Sequence, residues 1–96
     1  MSFYVYLLRC SDQSYYVGHT DDIESRIAQH QSGLIPGYTA RRRPVTLLKA
    51  EMLPTREEAL AAEIQIKGWT RRKKEAWAAD NFEALKQFSK KSPKPN

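Results

Sequence analysis

Phe3-Tyr4-Val5-Tyr6-Leu7-Leu8-Arg9 and, after the polar turn Ser11-Asp12-Gln13-Ser14, the run Tyr15-Tyr16-Val17-Gly18-His19 decide how this chain folds. Both runs are rich in aromatic and β-branched residues, which suit a pleated, packed surface, and the turn chemistry between them predicts an antiparallel hairpin. The first run is apolar on both faces, as a strand covered on both sides must be. Side chains alternate along a strand. Tyr4, Tyr6 and Leu8 therefore share one face of the first strand, and Tyr16 and Gly18 share a face of the second. Gly18 has no side chain, so a ligand or another stretch of backbone can come close there.

Downstream, Thr20-Asp21-Asp22-Ile23-Glu24 reads as a helix start, with Thr20 or Asp21 as the cap and the acids at the positive end of the dipole. This helix runs to about Ser32 and stops at Gly33. Ile23 and Ile27 face inward, and Arg26 and His30 form a second stripe about 100° round. A loop marked by Pro36-Gly37 carries Tyr38, Thr39 and Arg41-Arg42-Arg43, and Val45 to Ala50 forms a third strand. Thr55-Arg56-Glu57-Glu58 fits a capping box for a helix ending near Lys67. Thr70 opens a third helix reaching Ala79, and Asn81 caps a last one with Phe82, Leu85 and Phe88 along one side. The order β-β-α-β-α-α-α predicts an α+β domain: a small, three-stranded, mostly antiparallel sheet flanked by helices. Residues 1–88 make one domain, and 89–96 read as a disordered basic tail.

Composition narrows the function. Ninety-six residues and 11.1 kDa leave no room for a second core. A single cysteine, Cys10, excludes an internal disulfide framework and any CxxC metal site. No apolar run is long enough to span a bilayer, and Met1-Ser2-Phe3 does not open a signal peptide. The expectation is a cytoplasmic protein with no membrane partner. Its net charge is +5, distributed as −2 over residues 1–40, +1 over 41–66 and +6 over 67–96. A basic excess also serves solubility. The clusters Arg41-Arg42-Arg43 and Arg71-Arg72-Lys73-Lys74 point further, to a polyanionic partner.

One acid is out of place. On a wheel of the second helix, Ala59, Ala62 and Ile66 lie to one side and Leu60 and Ile64 to the other, with Glu63 inside that apolar arc. A carboxylate there must be paired, protonated or metal-bound. An ion pair with Lys67 at i+4, or with a distant arginine, is one reading; a metal ligand or general base is the other. Tyr6 and Tyr16 are similarly double: core filler, or two phenols aimed at one point above a glycine. With Arg26, His19 and His30 they supply proton handling, phosphate neutralisation and a Mg²⁺ ligand, an inventory that suits phosphodiester cleavage. A Ser-His-acid set for acyl transfer is missing.

The pair Tyr4-Val5-Tyr6 and Tyr16-Val17-Gly18, with Arg26, His30 and Glu63 in order behind it, resembles the signature of the GIY-YIG endonuclease superfamily. Glu63-Ile64-Gln65-Ile66-Lys67-Gly68-Trp69-Thr70 is similar to that stretch in its small stand-alone bacterial (UPF0213-like) members. Tyr4 replaces the glycine of the first triplet, and His19 stands where the excision-repair nucleases have lysine. The resemblance implies a divalent-metal-dependent nuclease acting on DNA, with links to repair or recombination. It implies one Mg²⁺ or Mn²⁺ on Glu63, Tyr16 activating or orienting water with Tyr6 beside it, Arg26 on the phosphate, and His19 or His30 relaying a proton. Tyr38, Arg41, Arg42, Arg43, Lys67, Arg71 and Arg72 are the expected nucleic-acid contacts. RNA is a further candidate substrate, and a partner protein a candidate source of specificity. The competing expectation is a nucleic-acid-binding or partner-docking module that keeps the fold without cleaving.

Overall fold

The computed structural model describes residues 2–89. In chain order they form β1 (Phe3–Arg9), β2 (Tyr15–Thr20), α1 (Ile23–Ser32), β3 (Thr46–Leu53), α2 (Arg56–Lys67), α3 (Arg71–Ala78) and α4 (Phe82–Ser89). The expected α+β architecture is the one observed: a three-stranded antiparallel sheet, ordered β2-β1-β3, with four helices. Of the expected tail, Ser89 closes α4 and the rest lies outside the described residues.

β1 sits in the middle of the sheet, which is why it is apolar on both faces. On one face Val5, Leu7 and Val17 pack with Ile66 of α2 and Trp77 of α3. On the other Tyr6, Leu8, Cys10 and Val45 pack beneath Ile23 and Ile27 of α1. The register sets Tyr6 opposite Gly18 on β2 and Ala50 on β3. β2, the shorter partner, is an edge strand lying between the helices of the two faces.

Local chemistry fixes the ends, with some corrections. The α1 cap is Asp22, whose carboxylate accepts from the Ser25 amide at 3.1 Å. Thr20 bonds the Asp22 amide instead, at 3.1 Å, and so supports the cap from outside. Gly33 ends α1 in the left-handed region, at φ 79°. Thr55 and Thr70 cap α2 and α3 through the amides of Glu58 and Lys73, and Asn81 caps α4 through Ala84. β3 starts one residue later than expected and runs on to Leu53, because Glu51 and Met52 keep pairing with Val5 and Tyr4. An edge strand tolerates such polar and exposed residues. On α2 only the Ala59–Ile66 side of the apolar arc is covered, and Leu60 and Ile64 stand exposed. In α4 Leu85 joins the core while Phe82 is exposed.

Candidate active site

Because alternate residues of β2 face opposite sides, this edge strand presents Tyr16 and Gly18 towards α1, and His19 towards α2. Two groups of side chains gather there, one on each side.

On the α1 side, Tyr6 lies across Gly18, and a Cβ at that position would sit 2.6 Å from the Tyr6 Cζ. The close approach expected at Gly18 is thus made by the protein's own phenol. The Tyr6 hydroxyl is 2.9 Å from His30 Nε2, and His30 Nδ1 is 2.7 Å from the Thr39 hydroxyl. All three residues are buried, with exposures of 2% or less. The Tyr16 ring meets His30 edge-on at 5.1 Å between centroids, lies tilted by 41° to Tyr6 at 6.4 Å, and stacks on Tyr38 at 6.3 Å. Burial, reinforced by Tyr16, pushes the Tyr6 phenol well above its usual range, against an opposing pull from Arg26. Burial, then the Arg26 charge, holds the His30 imidazole below its ordinary value. A phenol kept protonated and an imidazole kept neutral pair most simply with Tyr6 donating to Nε2, leaving Nδ1–H to donate to Thr39. Arg26, one turn before His30, is half-buried and forms no ion pair among the described residues.

On the α2 side, Glu63 Oε1 accepts from His19 Nδ1 at 2.7 Å and Oε2 from Lys67 Nζ at 2.9 Å. Burial raises this carboxyl, but the hydrogen bonds from His19 and Lys67 outweigh it and hold the group below its ordinary value. Lys67 is raised in return, chiefly by its bond to Glu63. The ion pair read from the i+4 spacing is therefore present, with His19 as a second partner that no local pattern pointed to. The two sides sense each other: the Glu63 charge acts on Tyr6, and Tyr16 acts on Lys67.

Among the described residues no three His, Cys, Asp or Glu side chains come together to cage a metal. Mg²⁺ does not need a cage, since it keeps several waters and binds one or two carboxylates together with substrate phosphate. Glu63 fits that mode. Its Oε2 partner, the Lys67 ammonium, is 52% exposed, so an arriving cation can displace it at little cost.

The expected nucleic-acid contacts divide. Arg41 and Arg72 are exposed and without ion pairs among the described residues. Arg42, Arg43 and Arg71 are committed to the fold. Arg42 bonds Asp12 at 3.0 Å and the Tyr38 carbonyl at 2.8 Å. Arg43 bonds the Ala40 carbonyl at 3.1 Å, and Arg71 pairs with Glu75 at 3.2 Å while lying over the Tyr15 ring. Lys67 is on Glu63, and Tyr38 is 40% exposed beside Tyr16. Thr39 and Asp12 were not among the expected site residues. A threonine nine positions beyond His30 in an irregular loop carries no periodic signal.

The GIY-YIG catalytic domain model matches residues 2–76. A UPF0213 protein of Haloquadratum walsbyi is 44% identical over 77 residues, covering 80% of this chain and 86% of that protein. A UPF0213 protein of Bacillus pumilus is 40% identical over 91 residues, covering 92% and 93%. Among solved structures, the solution NMR structure of a UPF0213 protein from Bacillus halodurans superposes with a TM-score of 0.54 at 37% identity, covering 95% of this chain and all of that one. The solution NMR structure of an E. faecalis protein gives 0.59 at 41% identity, covering 86% and 88%.

Proposed function

The chain belongs to the GIY-YIG catalytic domain family, among its small UPF0213 members, and from that premise we propose that it is a metal-dependent endonuclease hydrolysing DNA phosphodiester bonds. The observation that carries this reading is the contact of Tyr6, Tyr16 and His30 on one side of the β2 edge, with Arg26 one turn before His30 on α1 and Glu63 bonded to His19 on the other side of that strand.

In this reading the scissile phosphate lies at the β2 edge. Arg26, without a carboxylate partner among the described residues, neutralises the phosphate oxygens as charge develops. Tyr16 orients the attacking water, and the Tyr6–His30–Thr39 chain holds Tyr6 protonated and fixed behind it. Glu63, aligned by His19, would hold Mg²⁺ or Mn²⁺, and the ion would supply Lewis-acid stabilisation of the leaving oxygen. Arg41 and Arg72 add sequence-blind backbone attraction that weakens with salt. We place the work in the cytoplasm, on structured DNA arising in repair or recombination, with a partner protein refining specificity.

The test is incubation of the purified protein with branched, nicked and linear DNA, and with RNA, in Mg²⁺, Mn²⁺ or chelator, beside Glu63→Gln. Cleavage that needs the metal and is lost in the variant is expected. Tight binding without cleavage under every condition would establish the docking-module reading instead.

A further inference from the structure

The 33–45 loop reaches both tyrosines of the site by separate routes. Thr39 holds His30, and through it Tyr6. Tyr38 stacks on Tyr16, ring centroids 6.3 Å apart and planes 24° from parallel. Over Tyr38 lies the Arg42 guanidinium, its Cζ 3.9 Å from the ring centroid. That guanidinium is held at two points: Nη1 donates to the Tyr38 carbonyl at 2.8 Å and Nε to Asp12 Oδ2 at 3.0 Å. Asp12 is fixed in turn, since its other oxygen accepts from the Ser14 amide and hydroxyl. The backbone closes the same junction, with the Ser11 amide donating to the Arg42 carbonyl at 2.8 Å. The β1–β2 turn that aims Tyr16 and the loop that packs on it are therefore bolted together through one arginine.

We propose that Arg42, held by Asp12, is a positioning residue that fixes the Tyr16 ring through Tyr38, rather than a contact to nucleic-acid phosphate. The proposal rests on the reading of Tyr16 as a group of the nuclease site. With Nε–H on Asp12 and one Nη1–H on the Tyr38 carbonyl, three of the five donors remain, but the Nε side of the fork is already taken by a carboxylate and one face by the Tyr38 ring. The guanidinium's planar fork can also stack and bond two acceptors at once, which a lysine ammonium cannot. Asp12, an acid at the rim of a polyanion-binding surface, opposes DNA electrostatically, and fixing Arg42 gives it a role that outweighs this.

The experiment compares wild type, Asp12→Asn and Arg42→Lys in two assays. The first records the ring resonances of selectively labelled tyrosine by NMR, without DNA. The second measures turnover, KM and the salt dependence of DNA binding. The Tyr16 ring signals are expected to shift or broaden in both variants. Turnover should fall roughly ten- to a hundredfold, the range for a displaced catalytic group, with KM and the salt slope unchanged or, for Asp12→Asn, binding slightly tighter. If Arg42 instead contacts phosphate, Asp12→Asn frees it, KM drops at unchanged turnover, and the Tyr16 signals stay put; that result overturns the proposal. Unmoved Tyr16 signals with unaltered kinetics overturn it as well. Should wild type cleave nothing while the Tyr16 signals still move in both variants, the bracing stands and the nuclease reading fails. Arg42→Lys can lose the fold along with its guanidinium; Asp12→Asn, which keeps an acceptor for the Ser14 amide, then decides.

Discussion

Gly18→Ala tests the packing of the site at a single atom. The added methyl would stand 2.6 Å from the Tyr6 Cζ and 3.0 Å from its Cε2, and closer still to the hydroxyl oxygen. Tyr6 cannot retreat, since it is 2% exposed, packed against Leu8, Cys10 and Val45, and hydrogen-bonded to His30. Overpacking of this kind costs about 1–3 kcal/mol, and breaking the buried Tyr6–His30 bond adds about 1–3 kcal/mol. Alanine's smaller chain entropy in a strand offsets about 0.5–1 kcal/mol. The net loss is on the order of 2–4 kcal/mol, or a melting point lower by at least about 8 °C for a domain of this size. Urea unfolding followed by tryptophan fluorescence reads it. Adding Tyr6→Phe removes the oxygen that the methyl meets first, so the double variant should be more stable than the sum of the singles by about 1 kcal/mol or more. A Gly18→Ala protein within about 0.5 kcal/mol of wild type, or strictly additive losses, would refute the account of why a glycine stands there.

Replacing Arg26 by alanine should reduce turnover far more than DNA affinity, measured by cleavage and anisotropy; parallel losses would make it a binding residue only. Glu63→Gln should abolish metal-dependent cleavage and also change acid stability. The folded carboxyl lies below its ordinary value of 4.5, so its stabilisation is full above that pH and disappears as pH falls through the lowered folded value. The variant should therefore lose less stability than wild type between about pH 5 and pH 3, and coincident acid profiles would contradict the ion pairs. His30 works in the same direction at higher pH. Its folded value lies below 6.5, so the unfolded chain binds the proton first and stability falls as pH drops under that value, by at most about 1.4 kcal/mol per pH unit. His30→Gln should flatten that slope in urea titrations from pH 7 to 5, and an unchanged slope would mean that His30 is not the buried neutral imidazole.

Much of this molecule is readable along the chain because its signals are local. β1 announces itself by being apolar on both faces, and the two-sided packing beneath α1 and above α2 and α3 is the reason. Gly33, Thr55, Thr70 and Asn81 mark helix ends through bonds that span three or four residues. Neither residue expected to cap α1, Thr20 or Asp21, is the cap: Asp22 takes that place, and Thr20 supports it from outside by accepting from the Asp22 amide. The extension of β3 to Leu53 was hidden because Glu51 and Met52 are poor strand residues in isolation and are paired only by β1.

In the site the division is sharper. Residue types and spacing made Glu63 conspicuous as an acid in an apolar arc and set Tyr6 and Tyr16 as two phenols near a glycine, while Arg26 and His30, weak singly, gained their expected roles from the set as a whole and from the family resemblance. Only the tertiary structure decided the partners. His19 on Glu63, Thr39 on His30 and Asp12 on Arg42 join residues 44, 9 and 30 positions apart. Such pairings depend on which face of an edge strand and which turn of a loop meet, and no periodicity in a one-dimensional chain encodes that meeting. The same reason separates the arginines: the sequence counts three alike at 41–43, and folding leaves the first exposed without an ion pair among the described residues while the next two bond loop carbonyls and, for Arg42, Asp12.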